Sequence, residues 1–120
     1  MVRISTEEFE KIVEEAFERL PDNFKKKLEN IAIVIEDYPS FLGPHHRFSI
    51  LGLYTGIPYP KRGIYYGNVL PDVITIYQKP IEVQASSIDE LKSLVEKVLF
   101  HEIGHYFGFS DEELYEIMGR

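Results

Sequence analysis

The sequence predicts an α+β fold in a single domain over residues 1–120, and three observations carry that prediction. A helical stripe follows a capping signal near the N-terminus. Three short β-branched runs occupy the middle of the chain, and a longer helical pattern closes on a glycine near its end. A chain of 120 residues suits one core, since folding at this length buries roughly two-thirds of the unfolded surface.

Ser5 opens the first element, and Glu8 completes a capping box in which each side chain meets the other residue's backbone N–H. Phe9, Ile12, Val13, Ala16, Phe17 and Leu20 then share one face of a helix, which Pro21 ends. Residues 22–29 are expected to add a short helical turn through Phe24 and Leu28. Ile31 to Ile35 is a continuous β-branched run, read as a strand covered on both faces. Pro39, Gly43 and Pro44 mark the next loop, which carries His45 and His46. Ile50 to Tyr54 reads as a second strand. Residues 55–72 read as a long loop, with an irregular strand near Ile64, Tyr65 and Tyr66. Val73 to Tyr77 is the third strand, stopped by Pro80. Ser87 with Glu90 starts the longer helix, whose pattern runs through Phe107 to a left-handed cap at Gly108. Ser110 with Glu113 caps a last helix from Asp111 to Met118.

The formal net charge is −7, from 20 acidic and 13 basic residues. Nucleic acid is therefore not expected as a partner, because a phosphate backbone calls for clustered Lys and Arg. Lys25-Lys26-Lys27 is the longest basic run and reads as solvated surface. The chain has no cysteine, which excludes disulfides and thiolate ligands and permits a reducing compartment. No stretch approaches the roughly 20 apolar residues that span a bilayer, and the N-terminus has no apolar signal core. A soluble, cytoplasmic protein without a membrane partner is expected.

The chemistry is concentrated in Phe100-His101-Glu102-Ile103-Gly104-His105-Tyr106-Phe107-Gly108-Phe109-Ser110-Asp111. Histidines at i and i+4 lie one turn apart on one helix face, a separation that suits two imidazole nitrogens on one zinc ion. Glu102 falls on the same stripe as Leu91, Val95 and Val98. A carboxylate aimed into apolar surroundings is costly without a task. Beside a metal that lowers the pKa of water, that task is general-base catalysis. Two histidines leave the coordination incomplete. Gly108 lets the chain reverse, so that Asp111 returns toward the same ion as third ligand. His101, His105 and Asp111 with one open position describe a catalytic rather than a closed structural zinc site.

HEIGHYFGFSD resembles the HExxHxxGxxD pattern of zincin metallopeptidases in which Asp stands for the usual third His. Leu51 to Pro58 and Leu70 to Tyr77 also look like segments of very small, single-domain bacterial zincin-like proteins, and the resemblance runs over about residues 30–115. It implies a zincin-like fold, a small twisted mixed sheet packed against the N-terminal helix and the motif helix. It implies His101, His105 and Asp111 as zinc ligands and Glu102 as general base. It further implies an edge strand that holds an extended peptide, for which Val73 to Tyr77 is the candidate. Met118 is expected to pack on the last helix instead of forming a methionine turn beneath the metal.

The function expected is zinc-dependent hydrolysis of a peptide or unfolded protein. The alternatives are a metal-binding zincin-fold module without turnover, and a metal-dependent hydrolase of RNA or another non-peptide substrate, of which the acidic charge disfavours RNA. Tyr65, Tyr66, Tyr106, His45 and His46 are the groups considered for oxyanion stabilisation, each better read as packing or solvent-facing. Glu112 is a substitute ligand should Asp111 point away. Asp72, between a proline and a strand, reads as a turn or capping residue.

Overall fold

The computed structural model describes residues 1–28, 31–56 and 72–118, with the side chains of Asn23, Ile117 and Met118 excepted. The irregular strand expected near Tyr65 and Tyr66, and the packing of Met118, lie outside the described residues. In chain order the elements are α1 (Thr6–Glu18), α2 (Asp22–Lys25), β1 (Ile31–Glu36), β2 (Gly52–Thr55), β3 (Asp72–Tyr77), α3 (Gln78–Gln84), α4 (Ile88–Tyr106) and α5 (Asp111–Met118). A 3-10 turn at Pro44–His46 separates β1 from β2.

Helix α1 begins as its capping box requires. The Ser5 hydroxyl accepts from the Glu8 backbone N–H at 3.0 Å, and the Glu8 carboxylate accepts from the Ser5 N–H at 3.4 Å. Its stripe of Phe9, Ile12, Val13 and Ala16 is buried against the α4 side chains Leu91, Val95, Leu99 and Ile103. Helix α4 in turn lies on β2 and β3. Ile74 and Ile76 of β3 and Ile81 of α3 complete this core, all three fully buried.

The sheet is small and mixed, in the order β1-β3-β2, with β1 parallel and β2 antiparallel to β3. Two expectations are corrected by this order. The strand Val73 to Tyr77 is central, not an edge, so it has no free side for a peptide. Its residues suit the centre, since both its faces are nearly all buried. Conversely, β1 is an edge strand among the described residues, and Val34 remains 39% exposed. Its apolar run is not covered on both faces.

Strand β3 ends at Tyr77, ahead of Pro80 as expected, but the helix that follows at once, α3, is not among the expected elements. Pro80 is the third residue of this helix, in the first turn, where a missing N–H costs no hydrogen bond. The helix carries a buried polar pair that holds the N-terminal segment. Glu82, 1% exposed, accepts from the Ile4 N–H and from Gln78 Nε2, both at 3.1 Å, while its backbone carbonyl accepts from Val2. Lys79 Nζ lies 3.4 Å from the second oxygen of the Glu82 carboxylate and supplies the opposite charge.

Candidate metal centre

Helix α4 starts where Ser87 Oγ accepts from the Glu90 N–H at 3.1 Å. It buries Leu91, Val95, Val98 and Leu99, then brings His101, Glu102 and His105 to its C-terminal end. One helical turn separates the two imidazoles, whose Nε2 atoms stand 3.1 Å apart. Gly108 ends the helix with φ of 91°. Its N–H donates to the His105 carbonyl at 2.9 Å, and the Phe109 N–H donates to the Gly104 carbonyl at 3.0 Å. That pair of bonds is a Schellman termination, which needs a left-handed residue at Gly108.

The reversed chain enters α5 through a second reciprocal cap. Ser110 Oγ accepts from the Glu113 N–H at 3.2 Å, and the Glu113 carboxylate accepts from the Ser110 N–H at 3.0 Å. Hydrogen bonds from the Ser110 backbone N–H and from its side chain hold the Glu113 carboxyl below the ordinary carboxylate range. Leu114, 2% exposed, seats α5 on Gly104, where any Cβ would overlap the leucine side chain. This docking returns Asp111 to the histidines. Its Oδ1 lies 3.0 Å from His101 Nε2 and 2.9 Å from His105 Nε2.

Three electron-pair donors therefore meet in a triangle with edges of 2.9–3.1 Å. His105 Nδ1 lies 3.0 Å from the Phe109 carbonyl oxygen. A carbonyl only accepts, so Nδ1 carries the hydrogen, and in the neutral ring Nε2 presents a lone pair toward Asp111 and His101. A single proton can lie along only one edge of such a triangle. One cation satisfies all three. A tetrahedral zinc ion with bonds of 2.0–2.1 Å separates its ligands by about 3.3 Å, within a few tenths of the spacing here. The donor set fits zinc.

Glu102 is 8% exposed, and its carboxylate shares a cluster with both imidazoles, all ligand atoms within 4.8 Å of one another. Asp111 makes the shorter contacts, so Glu102 stands beside the triangle rather than in it. Burial raises the Glu102 pKa above the ordinary carboxylate value. His105, His101 and a hydrogen bond from the Tyr54 backbone pull it down, and Asp111 adds to the rise. Strand β2 closes over this residue at Gly52, where a Cβ would stand 2.6 Å from Val98 Cγ1 and 3.3 Å from Glu102 Cγ. A cleft of about 650 Å³ follows, lined by Gly52, Tyr54, His101, Glu102, His105 and Asp111 among others.

The structure thus brings together the four residues singled out in the sequence. Of the others, His45 and His46 are exposed on the 3-10 turn and line no part of the cleft. Tyr106 is fully buried, and its hydroxyl donates to the Lys27 carbonyl at 3.3 Å, outside the cleft. Glu112 is exposed and leaves the imidazoles to Asp111. Tyr65 and Tyr66 lie outside the described residues. Asp72 is no surface turn: it is 2% exposed and accepts from the Tyr54 hydroxyl at 2.8 Å. Sequence reasoning missed the Phe109 carbonyl, Gly52 and Gly104. Gly104 had a signal, since glycine inside a helix costs about 1 kcal/mol against alanine and asks for a packing reason.

A family model for zincin-like metallopeptidases matches residues 28–120. No curated protein matches the chain. Among solved structures, a conserved hypothetical protein from Thermus thermophilus superposes with a TM-score of 0.56 at 24% identity. The match covers 97% of this chain and 99% of that one, and it supports the same fold. Members of this family imply a metal, typically zinc, and the His101, Glu102 and His105 group is able to bind one. Among the described residues, no helix is long and apolar enough to cross a membrane. On the family match over most of its length, the chain belongs to the zincin-like metallopeptidases.

Proposed function

We propose that this protein is a zinc-dependent peptidase that cleaves extended segments of peptides or unfolded proteins. The observation that supports this best is a buried carboxylate, Glu102, beside the donor triangle of His101, His105 and Asp111, opening on a cleft walled by an edge strand. Zinc held there supplies Lewis acidity toward a peptide carbonyl and lowers the pKa of water. Glu102 accepts the proton from the attacking water at its carboxylate and returns it to the leaving amine. Its surroundings suit that shuttle, because burial favours the protonated form while two imidazoles favour the charged one. Among the described residues, β2 pairs only with β3, which leaves its outer side to hold a substrate backbone by strand addition. The hydrogen bond from Nδ1 to the Phe109 carbonyl keeps the His105 ring aimed at the centre.

The test is elemental analysis of the purified chain beside His101→Ala and Asp111→Ala, with a peptide-library digest of wild type and Glu102→Gln. One zinc per chain, lost in both ligand variants, with hydrolysis lost in Glu102→Gln, is the expected result. Zinc without cleavage of any peptide would support the module without turnover. Zinc retained in Asp111→Ala would remove Asp111 from the ligand set.

A further inference from the structure

The opposite edge of the sheet carries a second groove, remote in composition from the first. It has a volume of about 500 Å³ and lies between α1 and β1, lined by Glu10, Val13, Glu14, Phe17, Glu18 and residues 33–35. Side chains of a strand alternate between its faces. A wall made of three consecutive residues, Ile33, Val34 and Ile35, therefore takes in the backbone edge of β1 and not one face alone. Among the described residues this edge has no strand beside it, since β1 pairs only with β3. It also lacks the usual protections: Ile31 to Glu36 contains no lysine, no proline and no bulge.

The rim of the groove is uniform in sign. Glu10, Glu14 and Glu18 follow one another at i, i+4 and i+8 on α1, and all three are exposed. Glu18 has a partner in Lys25 at 3.6 Å, whereas no cation pairs with Glu10 or Glu14 among the described residues. No lysine or arginine lines the groove. Val13 and Phe17 supply an apolar floor between the carboxylates and the strand.

We propose that this groove docks an extended polypeptide segment in which basic and aliphatic residues alternate. Its backbone continues the sheet on β1; toward α1 its lysines or arginines lay their stems on Val13 and Phe17 and meet Glu10, Glu14 and Glu18, and on the other face its aliphatic side chains meet Val34. A second copy of this chain is disfavoured as the occupant, because two such edges would bring two rows of glutamates together on molecules already at −7. This site is independent of the metal centre and would stand if the peptidase reading failed.

The experiment is fluorescence anisotropy of a short, end-blocked, labelled peptide alternating lysine and valine, titrated with the full chain at low and moderate salt. Saturable binding is expected, weakened about tenfold in Glu10→Gln/Glu14→Gln/Glu18→Gln and further weakened by salt. The same peptide N-methylated at alternate residues removes the ladder donors and is expected to lose about tenfold as well. His101→Ala is expected to bind as wild type does. Equal binding by the glutamine variant or by the N-methylated peptide would overturn the proposal. So would loss of binding in His101→Ala, which would place the peptide in the catalytic cleft. Self-association of the free chain in sedimentation would assign the edge to a second copy and overturn it too. The glutamine substitutions are on exposed positions, and circular dichroism checks that the variant remains folded.

Discussion

Among the described residues, the two edges of the sheet solve different problems with similar parts. On one side β2 lies flat against α4, because Gly52 has no side chain to hold it away from Val98 and Glu102. The cleft beneath it is lined by nitrogen and oxygen donors that face one another. On the other side β1 stands off from α1, leaving an apolar floor and a row of glutamates whose charges point to solvent. Charge is convergent and partly buried at the first edge, exposed and parallel at the second. The first arrangement is costly unless a cation completes it, whereas the second is stable alone and is selective only when a cationic segment arrives.

The strongest way to break this contrast is Glu102→Gln. Peptide hydrolysis should fall by about 10²–10⁴-fold, as expected when a general base is removed. Elemental analysis should still find zinc, and binding of the lysine–valine peptide should be unchanged. Any fall in that binding would tie the two edges together.

A second substitution acts through packing. Gly104→Ala places a methyl group where Leu114 sits, so α5 must shift and Asp111 with it. Zinc affinity, measured by competition with a chromophoric chelator, should drop by about 10–100-fold, the scale seen when the support of a ligand is lost. Adding Leu114→Ala makes room for the methyl group and should restore part of that loss. Failure of the rescue would show that α5 does not position Asp111 through this contact.

The smallest effects separate two capping boxes that differ only in what they hold. Ser5→Ala and Ser110→Ala should each cost about 1 kcal/mol of stability in urea denaturation. Ser110→Ala should also weaken zinc binding a few-fold, because its helix carries Asp111 (a shift of about 0.5–1 kcal/mol by the same principle). Ser5→Ala should leave zinc binding untouched. Equal zinc affinity in the two variants would mean that α5 is held by Leu114 alone.

What can be read from the sequence follows from how local each feature is. The donors at His101, His105 and Asp111 lie within eleven residues of chain, and helix geometry plus one glycine turn brings them together. Helices α1 and α4 are legible for the same reason, each announced by its own serine and glutamate. The order of the strands is not, because nothing in Val73 to Tyr77 by itself says that it stands between β1 and β2. Helix α3 goes unread because Pro80 signals only the end of a strand, while a proline in the first turn of a helix breaks no bond and leaves no local sign of the helix. Gly52 and Gly104 act on Val98 and Leu114, contacts that no local pattern encodes.

The fastening of Val2 and Ile4 to Glu82 has a consequence for how the chain is made. The bond from Ile4 joins residues 78 positions apart, and the apolar stripe of α1 finds its cover on α4, later still. During synthesis the first helix therefore leaves the ribosome with Phe9, Ile12 and Val13 unsheltered. It must wait for about three-quarters of the chain before its partners exist, a delay that long-range contacts impose. Nascent chains stalled before α4 should for this reason be clients of holding chaperones, while chains released after it should not.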